Sequence, residues 1–106
     1  MKILITGING LVGNSLFKLL QNSDHKLFFS SRNLGGLANY KVDISNKGEV
    51  NDFFMSQKPD IVINCAAMAN VDLCEEEKEL CWKINVGGVK NLVDACKRHS
   101  THLTHI

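Results

Sequence analysis

Three glycines restrict this chain more than any other feature. Gly7 and Gly10 lie between an unbroken apolar run, Ile3-Leu4-Ile5, and the first stretch with helical spacing, which opens at Leu11, and Gly13 falls in the first turn of that stretch. A short continuous apolar run ending at glycine is the pattern of a strand buried on both faces. From Leu11 onward, Val12, Leu16, Leu19 and Leu20 repeat at i, i+4, i+7 and i+8, predicting one apolar stripe on a helix that Asn22-Ser23-Asp24 closes. A doubly buried strand that turns through glycines into a helix needs helices on both sides of its sheet. That requirement selects the α/β class.

The same alternation runs on. Leu27 to Ser31 reads as a second strand, Asn33 to Asn39 with Gly35-Gly36 as a loop, and Tyr40-Lys41-Val42 as a short third strand. A helix follows from Ser45 or Asn46, where Asn46 and Glu49 fit a capping box and Val50, Phe53 and Phe54 supply the buried face. Pro59 ends it. Asp60 to Cys65 is another buried strand. The longest helix is expected from Leu73 to His99, capped by Asp72 and Glu75, with Glu75-Glu76-Glu77 at its positive end and Lys97 and Arg98 at the other. It carries two apolar stripes: Cys81, Ile84, Gly88, Leu92 and Ala95 toward the sheet, and Trp82, Val86, Val89 and Val93 toward either a second subunit or further elements. Leu103 to Ile106 reads as a fifth strand that stops in its middle. The order predicts a Rossmann-type doubly wound parallel sheet with right-handed crossovers, incomplete at about five strands. Residues 1–106 contain neither repeat nor linker and form one domain.

Composition removes several classes of function. Twelve Lys and Arg against 11 Asp and Glu leave a formal charge of +1, no general electrostatic case for nucleic acid or an anionic membrane. No apolar run approaches the ~20 residues of a membrane span, and Ile3-Leu4-Ile5 is too short for a secretory signal. Cys65, Cys74, Cys81 and Cys96 have neither zinc-site nor disulfide-framework spacing, so free thiols in a cytoplasmic protein are expected. Cys74 and Cys81 read as core packing on one helix face. His99, His102 and His105 straddle a helix end and a strand and do not aim at one point, so no metal is expected.

The glycine turn has a chemical reading. Gly7 allows the sharp turn, Gly10 removes a side chain where a pyrophosphate would approach, and Gly13 lets helix pack on sheet. The phosphates would rest on the free N–H groups of the helix start, through the backbone of Asn9, Gly10, Leu11 and Val12. The alternative is a glycine-rich turn without ligand. A fold that prefers NAD places an acid at the end of the second strand, about 20 residues past the glycines, to bind the ribose 2′-hydroxyl. Here Ser30-Ser31-Arg32 stands instead. The Arg32 guanidinium and the two hydroxyls of Ser30 and Ser31 suit a 2′-phosphate, favouring NADP(H) with NAD(H) as the alternative; a solvated surface arginine is the plain reading of Arg32.

Thr6-Gly7-Ile8-Asn9-Gly10-Leu11-Val12-Gly13 resembles the TGxxGxxG turn of the extended short-chain dehydrogenases/reductases, the NAD-dependent epimerase/dehydratase superfamily. Val42-Asp43-Ile44 resembles that family's Asp-hydrophobic pair, implying adenine binding by Asp43 and Ile44. Asn64-Cys65-Ala66-Ala67 resembles its Asn-x-Ala-Ala turn, implying that Cys65, Ala66 and Ala67 back the ribose and nicotinamide. Asn85-Val86-Gly87-Gly88 resembles its Asn-Val-x-Gly, implying that Asn85 supports the proton relay. Within the branch, residues 64–75 are most similar to the dTDP-4-dehydrorhamnose reductase group, although Met68 and Ala69 stand where that group commonly has His or Tyr and then Thr.

The family's chemistry uses a Ser or Thr, a tyrosine and a lysine four residues after it. The one tyrosine, Tyr40, is followed at that spacing by Ile44. The expectation is therefore the cofactor-binding part of a longer reductase, inactive alone, whose nucleotide-sugar substrate is met by residues beyond this stretch. Two alternatives stay open: an epimerase or dehydratase of the same superfamily, and a non-catalytic dinucleotide-binding or regulatory subunit. A homodimer through the helix 73–99 is one expected use of its second apolar stripe.

Overall fold

A computed structural model of the chain describes residues 1–66 and 78–105. Ala67, Met68 and Ala69, the Asp72–Glu75 cap, the helix start at Leu73, Cys74 and Ile106 lie outside the described residues. The elements are β1 (Lys2–Thr6), α1 (Leu11–Leu20), β2 (Lys26–Ser31), β3 (Tyr40–Lys41), α2 (Lys47–Gln57) and β4 (Ile61–Asn64). After them come α3 (Lys78–Trp82), a π-helical segment (Lys83–Gly88), α4 (Val89–His99) and β5 (His102–His105).

The five strands are parallel in the order β3-β2-β1-β4-β5. From β1 the chain moves outward to β2 and β3, then returns to place β4 on the other side of β1. Thr6 pairs with Asn64 and Asn64 with His105, so the carboxyl ends of β1, β4 and β5 share one edge of the sheet. The crevice above a β1/β4 reversal is where open α/β sheets bind ligands.

Alternation along β1 divides the core. Leu4 packs with Phe28, Val62, Phe54 and Leu92 beneath α2 and α4, while Ile3 and Ile5 face α1. β1 is therefore buried on both faces, as its apolar run requires. Each fully buried Leu, Ile or Phe contributes roughly 1.5–3 kcal/mol. Phe28, Phe53 and Tyr40 meet edge to face, with centroids 5.1–5.8 Å apart.

Three local expectations change. The buried face of α1 is Gly13, Leu16, Phe17 and Leu20; Val12 and Leu19 are exposed, Leu19 by 77%. Phe17 stacks on Phe29 at 4.9 Å and displaces the stripe by about one residue. Second, α2 ends at Gln57, two residues before Pro59, with Lys58 left-handed at φ 50° as its C-cap. Its cap is half of a capping box. Asn46 Oδ1 accepts from the Glu49 N–H at 3.1 Å, but the Glu49 carboxylate turns to the Asp43 N–H and Lys41 Nζ, each at 3.4 Å. Third, the long helix is interrupted by the π segment over Lys83–Gly88. Around it Cys81, Gly88, Leu92 and Ala95 are buried and Trp82 and Val86 exposed, while Val89 and Val93 of the second stripe are half-buried.

Candidate dinucleotide site

The carboxyl end of β1 is set by a buried polar pair. Thr6 Oγ1 donates to Asn64 Oδ1 at 2.5 Å, and the same oxygen accepts from the Ala66 N–H at 3.1 Å. Asn64 Nδ2 meets His105 Nδ1 at 2.9 Å, tying β4 to β5. Both Thr6 and Asn64 are buried, so each polar atom needs a partner, and together they supply one another. The backbone adds Cys65 N–H to Thr6 O at 3.1 Å. Cys65 and Ala66 are thereby held directly against the glycine turn.

Gly7 has φ +66°, and a Cβ there would lie 2.6 Å from Ala66 N. A Cβ on Gly13 would lie 2.6 Å from Ile8 Cα. Both glycines are demanded by the protein's own packing. Gly10 differs: it is exposed, has φ −78°, and a Cβ would meet only Gly7 O, at 3.4 Å. The fold tolerates a side chain at Gly10, yet the position is bare toward solvent where α1 begins. No side chain of Gly10 caps α1, and its first turn carries no acid. A bare surface over the positive end of a helix fits a pyrophosphate. Leu11, exposed by 88%, and Val12 turn their side chains outward and offer only backbone N–H groups to such a ligand.

Asn9 directs its side chain sideways. Oδ1 accepts from the Leu37 N–H at 2.8 Å, and Nδ2 donates to Gly35 O at 3.0 Å and Ser31 Oγ at 3.5 Å. The expected ligand contact of Asn9 is thus confined to its backbone. Ser30 is buried and donates to Ile5 O at 3.2 Å, so the pair of hydroxyls expected beside Arg32 reduces to one. Ser31 Oγ donates to Asn33 O. Arg32 is exposed, and among the described residues nothing pairs with its guanidinium.

Asp43 is half-buried, and its Oδ1 accepts from the Ser45 N–H at 3.0 Å and hydroxyl at 2.6 Å. That turn leaves Oδ2 for an amino donor. The Ile44 side chain lies in the core, and its carbonyl accepts from Asn91 Nδ2 at 2.9 Å. Asn91, which together with Gly88 docks α4 and the π segment on Ile44, escaped the motif reading because it has no ligand-like pattern. The close approach is steric at Gly88, where a Cβ would fall 2.6 Å from Ile44 Cδ1. The exposed side chain of Asn85 lines a surface hollow with Lys78, Trp82 and Val86.

The thiols divide. Cys65 and Cys96 are free, and burial raises both, Cys96 to about 11. Cys81 corrects the expectation of free thiols, because it is disulfide-bonded. Spacing identified its inward face but could not say what its sulfur meets. His105 is held by Asn64, and His99 lies against Phe54 at 5.7 Å; among the described residues no three ligating side chains form a metal group. None of the helices among those residues is long and apolar enough to cross a membrane.

The family described as the RmlD substrate binding domain matches residues 1–106. The dTDP-4-dehydrorhamnose reductase of Aggregatibacter actinomycetemcomitans is 36% identical over 106 residues, which cover 99% of this chain and 34% of that enzyme. A crystal structure of a dTDP-4-dehydrorhamnose reductase from Clostridium acetobutylicum superposes with TM-score 0.85 at 40% identity, over 97% of this chain and 34% of that one. The Bacillus anthracis dTDP-4-dehydrorhamnose reductase, in complex with NADP, gives TM-score 0.82 at 29% identity over 96% and 34%. This chain spans about a third of these relatives' lengths. With the parallel sheet, the glycine turn and the match over its whole length, the chain belongs to the RmlD family of dTDP-4-dehydrorhamnose reductase-like proteins.

Proposed function

We propose that residues 1–106 form the NADP(H)-binding portion of a reductase that transfers hydride to the 4-keto group of a nucleotide-linked sugar. The observation that carries the dinucleotide is Gly10, bare where the fold itself has room for a side chain. When bound, the nicotinamide supplies the hydride. The chain's own work is to hold the dinucleotide. Backbone N–H groups from Asn9 to Gly13 take the pyrophosphate, Asp43 takes the adenine amino group, and the turn of Cys65, Ala66 and Ala67 backs the ribose and nicotinamide. Arg32, exposed and unpaired among the described residues, takes the 2′-phosphate. Proton delivery falls to residues outside this stretch, since Tyr40 lacks a lysine four places on, and Asn85 would support that relay. The names of the relatives support the sugar substrate, and the exposed face of Trp82 and Val86 supports a second copy as its cover.

The test uses the full polypeptide that carries this sequence. NADPH is expected to bind more tightly than NADH, and Arg32→Ala to weaken NADPH by about tenfold or more, the worth of a charge-assisted contact to phosphate. NADPH oxidation is expected with a 4-keto nucleotide sugar. Unchanged NADPH affinity in Arg32→Ala removes the cofactor assignment, and no turnover of any such sugar removes the substrate.

A further inference from the structure

Asn9 makes a bridge that dinucleotide binding alone does not require. Its amide reaches away from α1 to the loop after β2, accepting from the Leu37 N–H at 2.8 Å and donating to Gly35 O at 3.0 Å. The loop is shaped to receive it. Gly35 and Gly36 have φ +136° and +54°, and a Cβ on Gly36 would lie 2.9 Å from Asn9 Cγ. Gly36 therefore leaves the space that the amide enters. Residues 32–36 are all exposed, so no apolar burial fixes this stretch. Its far end is held separately, where Asn39 and Phe29 exchange bonds of 2.9 and 3.1 Å. Between the strand end and the Asn9 bridge lies Arg32, next to Ser31, whose hydroxyl meets both Asn33 O and the Asn9 amide.

We propose that Asn9 is a positioning residue for cofactor selection: by pinning the loop 32–37 to the glycine turn, it holds Arg32 and Ser31 toward the ribose 2′-position of the dinucleotide. The proposal rests on the NADP(H) reading above and adds that one side chain couples the pyrophosphate turn to the group that distinguishes NADPH from NADH. An arginine on an unpinned loop would have to be ordered by the ligand itself, and that ordering would weaken binding of the 2′-phosphate.

The experiment measures dissociation constants for NADPH and NADH on the full polypeptide and follows their ratio. Asn9→Ala is expected to lower the preference for NADPH by about tenfold, the scale of one charge-assisted contact. In an Arg32→Ala background it is expected to change the ratio no further, because residues acting through one another are non-additive. Gly36→Ala reaches the same bridge from the loop side and is expected to shift the ratio in the same direction, which keeps the proposal testable should Asn9→Ala fail to fold. Equal weakening of both cofactors, an undiminished effect in the Arg32→Ala background, or an unshifted ratio in Gly36→Ala overturns the coupling while leaving dinucleotide binding intact. A wild-type protein that binds neither cofactor, or both equally, shows instead that the underlying reading fails, and the coupling falls with it.

Discussion

Glycines that look alike in the sequence do different things. Gly13 is closed in by Ile8 backbone atoms and Gly10 is open, so alanine separates packing from binding. Gly13→Ala is expected to destabilise by more than about 3 kcal/mol, because backbone cannot move aside as a side-chain tip can. Gly10→Ala is expected to cost at most about 1 kcal/mol of helix capping and yet to weaken dinucleotide binding by about tenfold or more. Urea unfolding and cofactor titration on both variants check the contrast; a Gly10→Ala protein that keeps its affinity removes the pyrophosphate from this turn. A second residue-scale expectation concerns Asn64. Asn64→Ala leaves the buried Thr6 hydroxyl and the Ala66 N–H without their shared acceptor, at a cost of about 2–4 kcal/mol. Gly7 and Gly13 were legible in the sequence because a glycine at a tight turn or a close contact is tied to backbone geometry. Ser30, by contrast, turns its hydroxyl to Ile5 O, because spacing does not say which way a polar side chain turns.

Elements were legible where burial repeats with a clear period. All five strands were expected within a residue or two of their observed bounds, and Asn46 caps α2 as its pattern required. The π segment was not legible, because one extra residue per turn barely alters an apolar pattern over six residues. Its consequence lies in Gly87 and Gly88, adjacent and unequal. Gly88→Ala is expected to cost about 1–3 kcal/mol by driving a methyl into buried Ile44. A Cβ on Gly87 would meet nothing within 4 Å, so Gly87→Ala is expected to stabilise by up to about 1 kcal/mol through helix propensity. Thermal unfolding of the two single variants decides it, and equal effects at both positions would mean that Ile44 yields to the added carbon.

At the scale of the whole molecule, alkaline pH probes how firmly the core is closed. Cys96 lies in the core under α2 and α4, and burial holds its thiol up to about 11. A folded-state value above the unfolded one, about 8.5, makes the neutral thiol the favoured native form. Its contribution is complete below that unfolded value and is lost as pH rises toward about 11. The melting temperature is therefore expected to fall between those limits, and Cys96→Ala to flatten the decline while lowering stability at neutral pH. The same decline in Cys96→Ala would assign the alkaline sensitivity to other groups.

The strand order has a further consequence in time. β1 lies between β2, close behind it in the chain, and β4, so that Lys2 meets Asp60 across a separation of 58 residues. At ribosomal rates of about 5–20 residues per second, one edge of β1 waits roughly 3–12 s for its partner to be synthesised. Through that interval the most deeply buried strand of the sheet has an open flank, and α1 is the first helix available to shield it. The nascent chain is thus most exposed to misassociation while its central strand is already made and its neighbour is not.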